Sequence, residues 1–155
     1  MCGMPGAGKT TLARRLAASH GALLVNPDEW LVRLGLDVHD GPTRHAIESL
    51  MWEQTQQLLG IGTSIVLESG LWVREHRDEK LAAARRIGVQ VELHVLDVPL
   101  EERWRRVATR NARGHGVQIT RAQLEAWERR WQPPTADEVA RYDPPSPLTP
   151  ASRRC

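Results

Sequence analysis

The chain of 155 residues has a formal net charge of +2, with 41% apolar and 26% charged residues. This length fits one domain of roughly 100–150 residues, and the composition argues against a disordered chain. No run approaches the roughly 18 apolar residues of a membrane helix, and the N-terminus lacks the pattern of a signal peptide. Because Cys2 and Cys155 match neither a metal spacing nor a disulfide framework, we expect a soluble, unsecreted cytoplasmic protein.

The first third of the chain predicts a helix, a strand and a second helix. Residues 9–20 have leucines one turn apart with alanines beside them, which predicts a helix packed on a sheet. The apolar run 22–25 is typical of a buried parallel strand, and Asn26-Pro27 after it indicates a loop. Apolar residues that include Leu50 share one helical face between 43 and 59, so a long helix is expected there.

The remaining segments continue the alternation of strands and helices. We predict strands at 64–67 and 89–98, and a helix at 74–87 between them. Pro99 can open the next helix, and Thr120 begins a capping-box pattern that opens another. Strands separated by helices indicate crossover units, so the predicted fold class is α/β with a short parallel sheet.

The C-terminal residues differ in composition from the rest. After Tyr142 the chain is rich in proline and serine and cannot build a core. We therefore predict one domain over 1–142 and a Pro-rich disordered tail over 143–155.

A phosphate-binding motif stands at the start of the chain. Residues 3–10 match G-x-x-x-x-G-K-[ST] in full, and a helical pattern follows at once. Glycines let successive backbone N–H groups turn around an anion, and the helix N-terminus adds its partial positive charge. The motif predicts that Lys9 reaches the β- and γ-phosphates and that the Thr10 hydroxyl binds magnesium. The expected nucleotide-binding residues are Gly3, Gly6, Ala7, Gly8, Lys9, Thr10 and Thr11.

The strand that should precede this motif is short of residues. A P-loop normally follows a buried central strand, yet only Met1 and Cys2 stand before Gly3. We therefore expect the first strand to be missing from the sheet.

Several sequence blocks in a fixed order resemble one known group of proteins. The blocks are CGMPGAGKTTLA, NPDEW, VLESGLWVREHRD, LDVPLEERWRRVATRN and QPPTADE. They resemble the small P-loop kinases related to phage polynucleotide 5′-kinase, zeta toxins and chloramphenicol phosphotransferase, a group of AAA-type ATP-binding proteins. The likeness runs from Cys2 to about Glu138 and implies a three-layer α/β/α fold of the nucleoside-kinase type, ATP and Mg²⁺ as cofactors, and a lid around 106–118.

The resemblance also implies roles for two acidic residues. Asp28 matches the aspartate that accepts the proton of the attacking hydroxyl, and a carboxylate at a strand end can orient a nucleophile. The alternative is that Asp28 caps the helix after Pro27. Glu68 matches the acidic residue that supports magnesium, with pairing to a neighbouring arginine as the alternative.

The lid of the resembling kinases carries arginines that stabilise the transferring phosphoryl group. Arg110 matches one of them, Arg113 is near enough to replace a second, and Arg106 is a further candidate. For each of them a solvated helix face is the alternative. Polynucleotide kinases carry an arginine three residues after the catalytic aspartate, where this chain has Leu31. This departure favours a nucleoside triphosphate and a small hydroxylated substrate over a nucleic-acid end.

Several functional alternatives stay open at this stage. A nucleotide-dependent switch or hydrolase would need a residue that positions water, for which only Glu68 is available. A binding module without catalysis is the third possibility, after the phosphotransferase that the resemblance implies and the switch or hydrolase. Trp30 and Trp72 follow strands, where they could contact a substrate or pack, whereas the tryptophans 104, 127 and 131 are expected to pack. The acceptor and the oligomeric state are not specified by the sequence.

Overall fold

The computed structural model of the chain describes residues 1–114 and 117–147. Short strands and longer helices alternate through these residues. The strands are β1 (Cys2–Gly3), β2 (Leu23–Val25), β3 (Ile65–Leu67) and β4 (Val95–Leu96). The helices are α1 (Lys9–His20), α2 (Pro27–Arg33), α3 (Gly41–Gly60), α4 (Arg74–Ile87), α5 (Leu100–Ala112), α6 (Arg121–Glu128) and α7 (Ala136–Val139).

The strands form two parallel pairs that lie side by side. β1 pairs with β4, and β2 pairs with β3 so that Val25 lies opposite Leu67. Backbone hydrogen bonds join the pairs, because the Met1 amine donates to the Leu67 carbonyl at 2.9 Å and the Gly3 N–H donates to the Gly70 carbonyl at 3.0 Å. The predicted α/β class with a short parallel sheet is confirmed.

The two strands around the N-terminus are shorter than a central pair usually is. The strand before the P-loop, which was expected to be missing, is present as the two residues of β1, because Cys2 and Gly3 pair with β4. β4 likewise has two residues, where the sequence predicted a strand over 89–98. A strand needs a hydrogen-bonded neighbour, and β1 supplies one only opposite Val95 and Leu96. The length of β1 therefore limits the length of β4.

Helix α3 differs from the prediction in the face that it buries. Leu50 belongs to the apolar face that the sequence predicted, but this residue is 59% exposed. Thr55 is the residue of α3 that becomes fully buried, and its hydroxyl donates to the Met51 carbonyl at 2.7 Å. Because α3 packs mainly against the neighbouring helices α2 and α4, only a narrow stripe of it is covered.

Two apolar clusters support the region around the P-loop. Met1, Ala13 and Leu16 form the first, between α1 and the strands. Val107, Ile119 and Leu124 form the second, with Trp104 and Trp127 packed against them. The second cluster joins α5 to α6 and places these helices beside the P-loop.

A buried ion pair connects helix α7 to helix α4. The Arg77 guanidinium donates to Glu138 through Nε at 2.5 Å and Nη2 at 3.0 Å, and both side chains are at most 1% exposed. The Nη1 atom of Arg77 donates to the carbonyls of Leu71 and Trp72 at 3.0 and 3.2 Å. The pair therefore holds the connection between β3 and α4.

The first residues after helix α7 are tied to the strand region. Asp143 accepts a hydrogen bond from the Val91 N–H at 2.6 Å, and the Ser146 hydroxyl donates to Glu92 at 2.5 Å. The rest of the predicted tail, 148–155, lies outside the described residues. Within the described ranges, no helix is both long and apolar enough to cross a bilayer.

Candidate functional site

A cleft of about 870 Å³ opens where the P-loop, α2, α3, α5 and α6 meet. Polar side chains predicted from the sequence line it together with aromatic ones. The residues that line this cleft include Gly6, Gly8, Lys9, Thr10, Thr11, Asn26, Asp28, His39, Arg44, Glu68, Trp72, Arg106, Arg110 and Trp127.

The backbone of the P-loop is shaped to surround an anion. Gly8 is the N-cap of α1, with φ 100°, and it has no side chain that could cap the helix. The first N–H groups of α1 can therefore donate to an anion. Gly6 has φ 82°, and a Cβ at this position would lie 2.7 Å from the Arg103 carbonyl oxygen. Both positions therefore need glycine, and Gly6 also needs it because α5 approaches so closely.

Lys9 lies folded against the loop that it serves. Its ammonium donates to the Met4 carbonyl at 3.1 Å. Burial lowers the pKa of Lys9, while the nearby carboxylates of Glu68 and Asp28 act in the opposite direction. The charge of Lys9 thus lies close to both acidic residues that the sequence singled out.

Thr10, Glu68 and Asn26 form one hydrogen-bonded group. The Thr10 hydroxyl donates to Glu68 Oε1 at 2.6 Å, and the Asn26 amide donates to Glu68 Oε2 at 2.8 Å. Burial raises the pKa of Glu68, and the hydrogen bond from Thr10 opposes this rise. The partners of Glu68 are therefore polar neutral groups rather than the arginine considered as an alternative.

The donor set around Thr10 suits magnesium. Mg²⁺ is commonly held by one or two protein oxygens, with phosphate oxygens and water as its other ligands. The Thr10 hydroxyl and the Glu68 carboxylate supply such oxygens beside the P-loop. In the described part of the chain, no cluster of three or more His, Cys, Asp or Glu side chains offers a cage for a metal ion.

Asp28 lies in the first turn of α2 and faces helix α3. Its carboxylate accepts a hydrogen bond from Arg44 at 2.5 Å, and Arg44 also contacts Glu48 at 2.9 Å. The cap of α2 is Asn26, whose side chain accepts from the Glu29 N–H at 3.2 Å. The alternative that Asp28 caps this helix is therefore wrong. The Asp28 side chain is 53% exposed and lines the cleft.

The three arginines that the sequence predicted for a lid lie in different positions. Arg106 lies against the P-loop and donates to the carbonyls of Gly6 and Ala7 at 3.4 Å each. Arg110 lines the cleft, where burial lowers its pKa and its Nε has no hydrogen-bond partner. Arg113 follows the last turn of α5, is exposed and does not line the cleft. Helical spacing explains this, since 106 and 110 share a face and 113 lies beyond the helix end.

Two site residues were not singled out from the sequence. Asn26 carried a local signal, because an Asn before a Pro at the head of a helix is a typical N-cap. Arg44 carried none, because its contact with Asp28 spans 16 residues between two helices. Its guanidinium lies beside the Asp28 carboxylate, whereas Leu31, at the position of the missing arginine, is fully buried.

The two tryptophans that follow strands also differ in position. Trp30 is 56% exposed and does not line the cleft. Trp72 lines it, and its ring N–H donates to the Gly3 carbonyl at 3.1 Å. A Cβ on Gly70 would lie 2.6 Å from Trp72 Nε1, so the indole rests directly on this glycine.

We expect Gly70→Ala to destabilise the protein more than Gly62→Ala does. Both glycines have positive φ, at 81° and 85°, so an alanine costs about 1–2 kcal/mol of backbone strain at either position. Only Gly70 has a neighbour within 4 Å, and displacing Trp72 should add roughly 1–3 kcal/mol. Urea unfolding of both variants measures the difference, and equal losses would show that Trp72 does not depend on Gly70.

The P-loop at the head of α1 and the parallel strands define a P-loop protein of the kinase-like type. Residues 1–134 match the family model described as "AAA domain". The chain therefore belongs to this family.

Solved structures with a similar fold include a chain of an RNA repair complex and a gluconokinase. A chain of the Pnkp1/Rnl/Hen1 RNA repair complex has a TM-score of 0.72 and 21% identity, and the match covers 83% of this chain and 42% of that one. The chain thus spans less than half of that relative. A gluconokinase from Sinorhizobium meliloti 1021 has a TM-score of 0.60 and 14% identity, over 90% and 85% of the two chains. A comparison with curated proteins gave no match.

Proposed function

We propose that the protein is an ATP- and Mg²⁺-dependent phosphotransferase that moves the γ-phosphate to a hydroxyl group of a small molecule. One observation carries this proposal: a carboxylate with the position of a base, Asp28, lines the same cleft as the P-loop. A binding module needs the phosphate cradle alone, and the residue that would position water in a switch or hydrolase, Glu68, is bonded to Thr10 and Asn26 instead.

The residues of the cleft divide the work of an in-line transfer. Asp28 accepts the proton of the acceptor hydroxyl as its oxygen attacks the γ-phosphorus. Arg44 holds the Asp28 carboxylate through the 2.5 Å contact and so fixes its direction. The bond from the γ-phosphorus to the bridging oxygen breaks, and the diphosphate leaves with its charge beside Lys9.

The remaining charges compensate the phosphates. Lys9 exchanges its contact with the Met4 carbonyl for phosphate oxygens, which are stronger acceptors for an ammonium group. Arg110 supplies a half-buried guanidinium whose Nη2 donates to the Val117 carbonyl and whose Nε has no partner, and Arg106 lies next to the loop, so these two arginines form the proposed lid pair in place of Arg113. Magnesium, held by Thr10 with support from Glu68, would neutralise charge on the β- and γ-phosphates.

A second candidate function is transfer to the 5′-hydroxyl of a nucleic acid. The sequence disfavoured this function because Leu31 replaces an arginine, but Arg44 brings a guanidinium to Asp28 from another helix. Such a guanidinium could also contact a phosphate of the acceptor strand. The Pnkp1-containing complex among the similar structures is named for RNA repair, in agreement with this candidate.

Product formation from labelled ATP tests the proposal. We expect the rate of ADP formation with Mg²⁺ to rise at least tenfold when the right hydroxyl acceptor is added, and the label to appear on that acceptor. Nucleosides, oligonucleotides with a free 5′-hydroxyl and polyols form the acceptor panel. ATP hydrolysis that is equal with and without every acceptor would favour a hydrolase, and ATP binding without turnover would favour a binding module.

A further inference from the structure

Three aromatic rings line the part of the cleft that the phosphate chemistry does not use. They are His39, in the connection between α2 and α3, Trp72, between β3 and α4, and Trp127 on α6. We call these three residues the aromatic wall. Each comes from a different element, so no local sequence pattern links them.

The rings of the aromatic wall contact one another in a row. The centroids of Trp72 and Trp127 are 5.6 Å apart at 41°, and those of His39 and Trp127 are 6.3 Å apart at 26°. Aromatic pairs in contact have centroid distances of about 4.5–7 Å. Trp127 therefore contacts both of the other rings.

The two indoles are held in place by the rest of the protein. Trp72 donates to the Gly3 carbonyl and rests on Gly70, and its own carbonyl accepts from the buried Arg77. Trp127 packs against the second apolar cluster. Both rings remain only partly buried, so each keeps apolar surface directed into a cleft that also contains Asp28.

A partly exposed aromatic surface beside charged groups suits a ligand with a flat ring. Stacking on an aromatic side chain stabilises a bound ring and tolerates many ring types. A polyol without a ring would leave this surface against water and gain nothing from it. The surrounding charges belong to the phosphate site, so they do not select the ring.

We propose that the aromatic wall is the acceptor subsite, and that the acceptor is an alcohol carrying a flat ring that lies on Trp127 while its hydroxyl group reaches Asp28. This inference rests on the proposed phosphotransferase function and narrows its substrate class. A free ring-bearing alcohol and the terminal nucleoside of an oligonucleotide share this chemistry.

Four acceptors separate these possibilities in the labelled-ATP assay. Thymidine and 1-phenyl-1,2-ethanediol are free ring-bearing alcohols, a thymidine dinucleotide with a free 5′-hydroxyl carries the ring on a strand end, and glycerol has no ring. We expect kcat/KM for at least one ring-bearing acceptor to exceed that for glycerol at least tenfold. A higher kcat/KM for the dinucleotide than for thymidine would identify a strand end as the source of the ring.

Substitution of Trp127 tests the subsite itself. Trp127→Leu should raise KM for the ring-bearing acceptor about tenfold and leave KM for ATP unchanged. Trp127→Phe, which keeps a ring, should restore most of the loss. Trp104→Leu is the matched control, because Trp104 packs against the same cluster but does not line the cleft. Thermal unfolding of all three variants accounts for any loss of folded protein.

A failure of the subsite differs from a failure of the phosphotransferase proposal. Transfer that is equally fast to glycerol and to ring-bearing acceptors, with no effect of Trp127→Leu, would overturn the subsite and keep the kinase. Quenching of tryptophan fluorescence by 1-phenyl-1,2-ethanediol that is lost in Trp127→Leu, without transfer to any acceptor, would keep the subsite and overturn the kinase. Neither transfer nor such quenching would overturn both.

Discussion

Asp28→Asn is expected to reduce kcat for phosphate transfer by about 10²–10⁴-fold, the usual contribution of a general base. The amide keeps the size of the side chain but cannot take up the proton of the attacking hydroxyl. It also removes the charge that pairs with Arg44 at 2.5 Å, so the orientation of the side chain weakens as well. Steady-state kinetics with the acceptor at saturation measures the loss.

Glu29→Gln is the matched control for this substitution. Glu29 is the next residue in the same helical turn, lines the same cleft, and makes only a 3.9 Å ion pair with Arg14. We expect the kcat of the Glu29→Gln variant to stay within about twofold of that of the unsubstituted protein, since exposed ion pairs contribute little. Calorimetry should give similar affinities for Mg²⁺ and ATP in both variants. Full transfer activity in Asp28→Asn would exclude this residue as the base.

Glu138→Ala is expected to destabilise the fold by about 3–5 kcal/mol, because it leaves the Arg77 guanidinium buried without its carboxylate. Arg77 and Glu138 are both at most 1% exposed, so water cannot replace the lost partner without a rearrangement. The same guanidinium donates to the Leu71 and Trp72 carbonyls, and the loop bearing Trp72 should loosen too. Urea unfolding measures the free energy.

Two further variants make this result interpretable. Asp137→Ala changes the neighbouring exposed acid of α7 and should cost no more than about 0.5 kcal/mol. The double variant Arg77→Met with Glu138→Leu removes both charges and should recover part of the lost stability, because a buried pair can be replaced by apolar side chains. The recovery stays incomplete because the Leu71 and Trp72 carbonyls lose their donor. A loss below about 1 kcal/mol in Glu138→Ala would show that the pair does not hold α7.

Local patterns in the sequence were enough to predict the nucleotide end of the site. The P-loop is a continuous motif, and Asp28 and Glu68 each follow an apolar run that ends at the same edge of a parallel sheet. Because that edge brings strand ends together, Thr10 and Glu68 come within 2.6 Å although 58 residues separate them.

Contacts between distant helices could not be predicted in this way. Arg44 looks like any solvated arginine of α3 until the α2–α3 packing brings it to Asp28. Trp127 was expected only to pack, and it does pack, yet its remaining surface faces the cleft. Glu138 lies beyond the residues that match the family model, and only the folded chain brings it to Arg77.

Leu50 is exposed although it lies on the apolar face of α3, and β4 is shorter than the strand predicted over 89–98. The two differences have related causes. A helical apolar stripe predicts burial only where a neighbour covers it, and α3 lies largely against two other helices instead of a sheet. An apolar run such as 89–98 becomes a strand only where a partner backbone is available. Both depend on neighbours that periodicity does not specify.

The close approach of Gly6 to Arg103 restricts how the lid can respond to a bound phosphate. The Arg103 carbonyl oxygen lies 2.7 Å from the position that a Cβ on Gly6 would take. The Arg103 guanidinium donates to the Val98 carbonyl at 2.8 Å and pairs with Glu128. A hinge rotation of α5 as a rigid body would break these contacts together. For the proposed phosphotransferase we therefore expect closure over the triphosphate to use the side chains of Arg106 and Arg110, which can move on the nanosecond scale.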